Sequence, residues 1–182
     1  MNIKMIKAGL VFGVIIFFIT GCNQGSNSDR LKDDTTAVIQ NGKEDISLPL
    51  KDAYLLHDQE NPERNTAEWN IEVQSSGRYE VWLSSLTKDT MNLSYNEPVI
   101  ITFGNNRIET QPVGNEIVLD GVKSNAPYFR ADSKLGSIFI DDPGQYSLQV
   151  ISEKVLPASG ANDKSQAVHT ILDQIILKPQ LQ

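Results

Sequence analysis

Four aromatic side chains stand where they could do more than fill a core: Trp82, Tyr95, Tyr128 and Phe129. Trp82 lies beside Glu80, on the strand face opposite Tyr79, Val81 and Leu83. There it is either covered by a loop or the tether, or left facing solvent. An exposed ring can stack on the apolar C–H face of a pyranose while neighbouring polar groups take the hydroxyls. Tyr95-Asn96-Glu97 and Asn125-Ala126-Pro127-Tyr128-Phe129-Arg130 mix aromatic, amide and charged groups, with Arg130 as the cation. That composition suits a ligand-binding rim, because loops commonly carry function; the competing use of such rings is as local plugs.

Other chemistry is thinly represented. His57 and His169 are far apart and lack metal-type spacing. Ser85-Leu86-Thr87-Lys88 matches S-x-x-K without the S-D-N and K-T-G elements that give that motif meaning. Asp141-Asp142 fits turn chemistry better than acid–base work. With no phosphate loop or zinc spacing, the expectation is a protein that is not an enzyme. A hydrolase would need two carboxylates about 5–10 Å apart in a cleft.

The elements that must position these residues begin after a targeting segment. Lys4 and Lys7 precede an apolar run over residues 8–19, followed by Ile19-Thr20-Gly21-Cys22. A basic start, an apolar stretch and small residues at a cut site describe a secretory signal over residues 1–21. The competing reading is a plain membrane anchor, but residues 5–21 are at the short edge of the roughly 17–25 residues that span a bilayer. Removing residues 1–21 takes away two lysines and no acid, so the net charge of −7 becomes −9. Such a balance argues against nucleic acid and against anionic headgroups as partners. Residues 22–40 are polar and read as a tether, leaving residues 41–182 for one domain.

That domain reads as all-β. Trp69, Ile71 and Val73 alternate with polar neighbours, as do Tyr79, Val81 and Leu83, then Ile138 and Ile140, then Tyr146, Leu148 and Val150. Period-two alternation marks half-buried strands. Further strands are expected over 46–50, 53–56, 99–103, 117–119, 128–131 and 171–177. Around nine short strands between Gly, Pro, Asn and Asp clusters predict a two-sheet antiparallel β-sandwich. One element occurs twice: a glycine, Gly77 or Gly144, followed by x-Tyr-x-φ-x-φ. Both glycines are expected to take positive φ in a turn.

Two resemblances add to this reading. Ile19-Thr20-Gly21-Cys22 resembles a bacterial lipobox, which implies a lipid on Cys22, the only cysteine. It also implies placement at the cell envelope, in the outer membrane if the cell has two, because Asn23 is not a retention aspartate. Second, Trp69-x-Ile71-x-Val73, Gly77-x-Tyr79-x-Val81-x-Leu83, Leu135-Gly136-Ser137-Ile138, Pro143-Gly144-Gln145-Tyr146 and Asp173-Gln174-Ile175-Ile176-Leu177 together resemble galactose-binding-like jelly-roll sandwiches. The pattern is most similar to carbohydrate-binding modules of families six and thirty-five. This implies a non-catalytic glycan-binding module, with Trp82, Tyr95, Tyr128, Phe129 and Arg130 as the candidate ligand residues. Calcium is a feature of many such modules. First and last strands pair in them, so Glu44, Asp45 and Asp173 are the candidate cation ligands, although the usual paired-glutamate opening is missing. An accessory lipoprotein contacting an envelope protein is the alternative.

Overall fold

The computed structural model describes residues 37–118, 128–155 and 169–180. The signal, Cys22 and most of the expected tether lie outside the described residues, as do Asn125, Ala126 and Pro127. Eleven strands are described: β1 (Val38–Ile39), β2 (Ile46–Pro49), β3 (Tyr54–Leu56), β4 (Thr66–Val73), β5 (Gly77–Thr87), β6 (Val99–Phe103), β7 (Asn106–Thr110), β8 (Glu116–Val118), β9 (Phe129–Ile140), β10 (Gly144–Ile151) and β11 (Thr170–Pro179). They form two sheets. One runs β1-β4-β10-β6-β7, with β3 also on β4; the other runs β2-β11-β5-β9-β8. Every pairing is antiparallel except β1 on β4, which is parallel. The chain is therefore a two-sheet β-sandwich, as its alternation predicts.

The alternation also fixes which side of each strand is core. Trp69, Ile71, Val73, Tyr79, Val81 and Leu83 are each at most 1% exposed. They meet Ile46, Leu48, Ile101, Leu148, Leu172 and Ile175 between the sheets. Side chains from two inner faces interdigitate in this way in any sandwich. Trp69 keeps its one polar atom satisfied, donating Nε1–H to the Pro49 carbonyl at 2.9 Å.

The twice-used Gly-x-Tyr element has a specific purpose. Tyr79 donates its hydroxyl to the Ser75 carbonyl at 2.5 Å, and Tyr146 donates to the Asp142 carbonyl at 2.6 Å. In each case the acceptor lies four residues upstream, so the tyrosine fastens the turn that leads into its own strand. The glycines differ, however. Gly77 has φ +137°, but Gly144 is not among the positive-φ residues, so only the first turn requires glycine.

Three features depart from the sequence reading. Pairing begins at Val38, inside the expected tether, and Gln40 is buried. Residues 129–131 and 138–140 are not two strands but parts of β9, joined through polar residues that find partners in the sheet, and Tyr128 precedes it. β7 was not expected, since Ile108 is its single apolar residue and Arg107 and Glu109 point outward.

Candidate functional site

β5, β9 and β11 lie side by side in the five-stranded sheet, and their outward faces carry the candidate chemistry. Near one end of this sheet, Thr87 pairs with both Phe129 and Thr170. Lys88 N–H donates to the His169 carbonyl at 2.9 Å, extending the ladder by one step. Phe129 and Arg130 therefore open β9 at this end, with Tyr128 just before them. Phe129 is 50% exposed, and the Lys88 ammonium stands 5.1 Å from the Tyr128 ring centroid.

One step further in, Arg130 forks onto Asp132. Its Nε donates to Oδ1 at 2.9 Å and its terminal nitrogen to Oδ2 at 2.8 Å. A bidentate guanidinium–carboxylate pair is the strong form of this contact, and Asp132 is nearly fully buried. Opposite Asp132 on β5 is Ser84, whose buried hydroxyl has no hydrogen-bond partner. On β11 the register slips between Leu172 and Gln174, and Asp173 occupies the irregularity. Burial raises the Asp173 carboxyl above its ordinary range; Arg130 pulls it down and Asp132 pushes it up. Arg130, Asp132 and Ser84 share the outer face, where Asp173 feels both charges, whereas Phe129, paired with Thr87, takes the inner-face parity of Ala131 at the same end of the sheet. The exposed part of this strand end offers an aromatic ring and the edge of a guanidinium, groups of the kind that line ligand sites.

The other candidate residues are placed differently. Trp82 is only 7% exposed. The Lys178 ammonium lies 4.2 Å over its ring, and its Nε1 donates to Glu80 Oε2 at 2.9 Å. Glu80 also takes bonds from Lys134 and Gln180, and Lys134 chiefly holds its carboxyl down at about 2. Trp82 is therefore a covered ring inside a charged network, the first of the two readings open from sequence. Tyr95 is likewise 7% exposed and shares a 2.9 Å hydrogen bond with the Ser85 hydroxyl. Burial drives its phenol far above the ordinary range, so it is a neutral plug at the sandwich end. Neither residue leaves a ring face open to solvent.

The proposed cation ligands do not come together. β2 and β11 pair, but the antiparallel register sets Leu177 against Ile46 and Gln174 against Pro49. Asp45 is therefore at one end of the pairing and Asp173 beyond the other, roughly 16 Å apart at about 3.3 Å per residue. Among the described residues no three His, Cys, Asp or Glu side chains form a metal-type group. Ser84 and Asp132 carry no sequence signal of their own, since a polar residue within a strand looks the same whether paired or not.

No protein-family model matches the chain, and neither does any curated protein sequence. Solved structures do. The chain is similar to part of an α-L-fucosidase from Vibrio sp. strain EJY3, at TM-score 0.61 and 22% identity, covering 80% of this chain and 24% of that one. It also matches, at TM-score 0.47 and 10% identity, a GH26-CBM35 β-(1,4)-mannanase from Podospora anserina, covering 77% of this chain and 28% of that chain. A third match is the CBM36-1 domain of a multidomain xylanase from the hindgut metagenome of Trinervitermes trinervoides, at TM-score 0.40 and 8% identity, covering 76% of this chain and 100% of that domain. The chain spans about a quarter of the length of the first two. The class defined by the fucosidase likeness is the β-sandwich fold itself.

Proposed function

We propose that this chain is a lipid-anchored protein of the bacterial cell envelope whose sandwich binds a glycan and has no catalytic role of its own. The observation that carries the binding reading is the end of β9. Tyr128, beside the Lys88 ammonium, precedes the outward Arg130–Asp132 pair, and half-exposed Phe129 stands at the same strand end on the other face. Sandwiches of similar architecture within glycan-acting enzymes support it, as does the carbohydrate-binding-module pattern of the strands. The anchor rests on the lipobox-like Ile19-Thr20-Gly21-Cys22.

Affinity-gel electrophoresis of the full-length protein in detergent, over a panel of neutral polysaccharides, tests the reading. Retardation by at least one polymer, weakened severalfold by Tyr128→Ala and by Phe129→Ala, is expected. No retardation by any polymer would refute it. Release of reducing ends from a retained polymer, abolished by Asp173→Asn, would instead make the protein a hydrolase.

The second reading, a protein partner, is favoured by one feature. Ile39, Tyr54 and Leu56 are 61%, 42% and 45% exposed along the outer edge of β4. Co-purification of an envelope protein that Tyr54→Glu disrupts, with no effect of sugar, would support it.

A further inference from the structure

We infer that the opposite end of the sandwich holds a second site, built for a saccharide ring that bears an anionic group. It rests on the glycan-binding reading above and adds a ligand class and a place. A cavity of about 300 Å³ opens between the residue 41–44 turn, the residue 74–77 turn, the end of β9 and the end of β11. That is the small end of the range for ligand pockets, about 300–1,000 Å³. Its wall includes Lys43, Arg78, Phe139, Ser76 and Gln180, and no acidic side chain.

Charge makes this cavity unusual. The described residues include ten lysines and arginines. Arg107, Arg130, Lys134 and Lys154 have carboxylate partners, Lys88 and Lys178 lie over aromatic rings, and Arg64 acts on Asp58. Lys43, Lys51 and Arg78 have no such partner among the described residues, and two of these three line the same cavity. In a chain of net charge −7, two cations with no carboxylate partner among the described residues, gathered at one opening, form a local anion-binding surface.

The aromatic is equally specific. Arg78 and Phe139 are directly opposed cross-strand partners in β5 and β9, and Phe139 is 51% exposed. Opposed side chains on one face stand about 5 Å apart at Cβ. A pyranose stacked on Phe139 would hold a ring substituent within reach of the Arg78 fork, with Lys43 approaching from the other wall. A planar guanidinium suits a carboxylate or sulfate through two parallel hydrogen bonds.

The walls are also held in place. Gly42 N–H donates to Gln74 Oε1 at 3.1 Å, and Ser75 Oγ donates to the Gly42 carbonyl at 2.9 Å. Buried Gln40 locks both turns: its Oε1 accepts from the Gln74 and Ser75 amides, and its Nε2 donates to the Glu44 carbonyl. Preorganised walls reduce the ordering cost of binding.

The test is affinity-gel electrophoresis of the full-length protein in detergent against polygalacturonate, dextran sulfate and neutral dextran. The protein's own negative charge opposes both polyanions, so retardation by them reports a local site. Retardation by polygalacturonate or dextran sulfate but not dextran is expected, and the arm that works identifies carboxylate or sulfate. Losing one charge-assisted contact should weaken binding about tenfold in Arg78→Ala and in Lys43→Ala. Phe139→Ala should weaken it too. Circular dichroism melts confirm that these exposed-site variants fold. Failure of both polyanions, or equal retardation of wild type and all three variants, would overturn the inference. If a neutral polysaccharide is still retained through Tyr128, this inference fails alone; if nothing is retained, both readings fail.

Discussion

Arg130 is the residue on which the first site turns. Its fork satisfies both oxygens of a carboxylate that is only 2% exposed. Removing one partner of a buried pair leaves an uncompensated charge, so Arg130→Ala should cost about 3 kcal/mol in chemical denaturation. Asp173 behaves in the opposite sense. Its carboxyl is raised mainly by burial, so the stability linked to it is full below the unfolded pKa and is lost as pH rises through the folded one. Asp173→Asn should therefore match or exceed wild-type stability at pH 7, and the gain should vanish below about pH 4. A clear loss at neutral pH would show that the ionised form is needed. Glu80 has the reverse sign. Held at about 2 by Lys134, Trp82 and Gln180, it contributes stability above its unfolded value of 4.5 and loses it as pH falls from there toward 2. Glu80→Gln should flatten that limb of the pH–stability curve by about 1 kcal/mol or less, as befits a partly exposed ion pair.

At the scale of elements, the two Gly-x-Tyr turns offer a paired experiment. Gly77 sits at φ +137°, where a Cβ is strained even though nothing crowds it. Gly77→Ala should cost about 1–3 kcal/mol. Gly144 has no such φ, and its nearest atom to an added Cβ is the Tyr146 ring at 3.9 Å. Gly144→Ala should stay within about 0.5 kcal/mol. Equal effects in denaturant titrations would mean that the two turns share a requirement the backbone does not show. The tyrosine, not the glycine, is what the element repeats. Its hydroxyl reaches back four residues in both copies and fastens strand to turn.

For the whole molecule, the two ends of the sandwich have different characters. Phe129 and Ile140 bound one strand, so Tyr128 and Phe139 are separated by most of its length. The Tyr128 end carries Phe129 on one face and Arg130 on the other; the Phe139 end is a cavity whose cations, Lys43 and Arg78, have no carboxylate partner among the described residues. If both proposed sites bind, one polymer held at two points would gain avidity from the linkage. The proposed anchor would keep both ends at the envelope. Cys22→Ala should shift the protein from the membrane to the soluble fraction on cell fractionation, leaving its melting temperature unchanged. Continued membrane association would rule out the lipid as the anchor.

Alternation of apolar side chains was enough to determine a two-sheet sandwich, its core tryptophan and tyrosines, and most of its strands. Those patterns are local, because every second side chain in a strand takes the same face. Tyr128, Phe129 and Arg130 adjoin in the chain, so their place at one strand end was legible, but pairing with β5 turns Phe129 and Arg130 to opposite faces. What alternation could not decide is which outward residues meet. Trp82 shares its parity with solvent-facing neighbours, yet Lys178 of a strand nearly a hundred residues away covers it. Glu44 and Asp45 were set against Asp173 by the correct strand pairing, and the antiparallel register separated them. Gln40 looked like part of a polar tether and is a buried knot between two turns. Arg78 and Phe139 became neighbours only when β5 and β9 paired. Register across strands is set by the packing of the whole core, so contacts on the outer faces follow from the tertiary structure and not from any local run of residues.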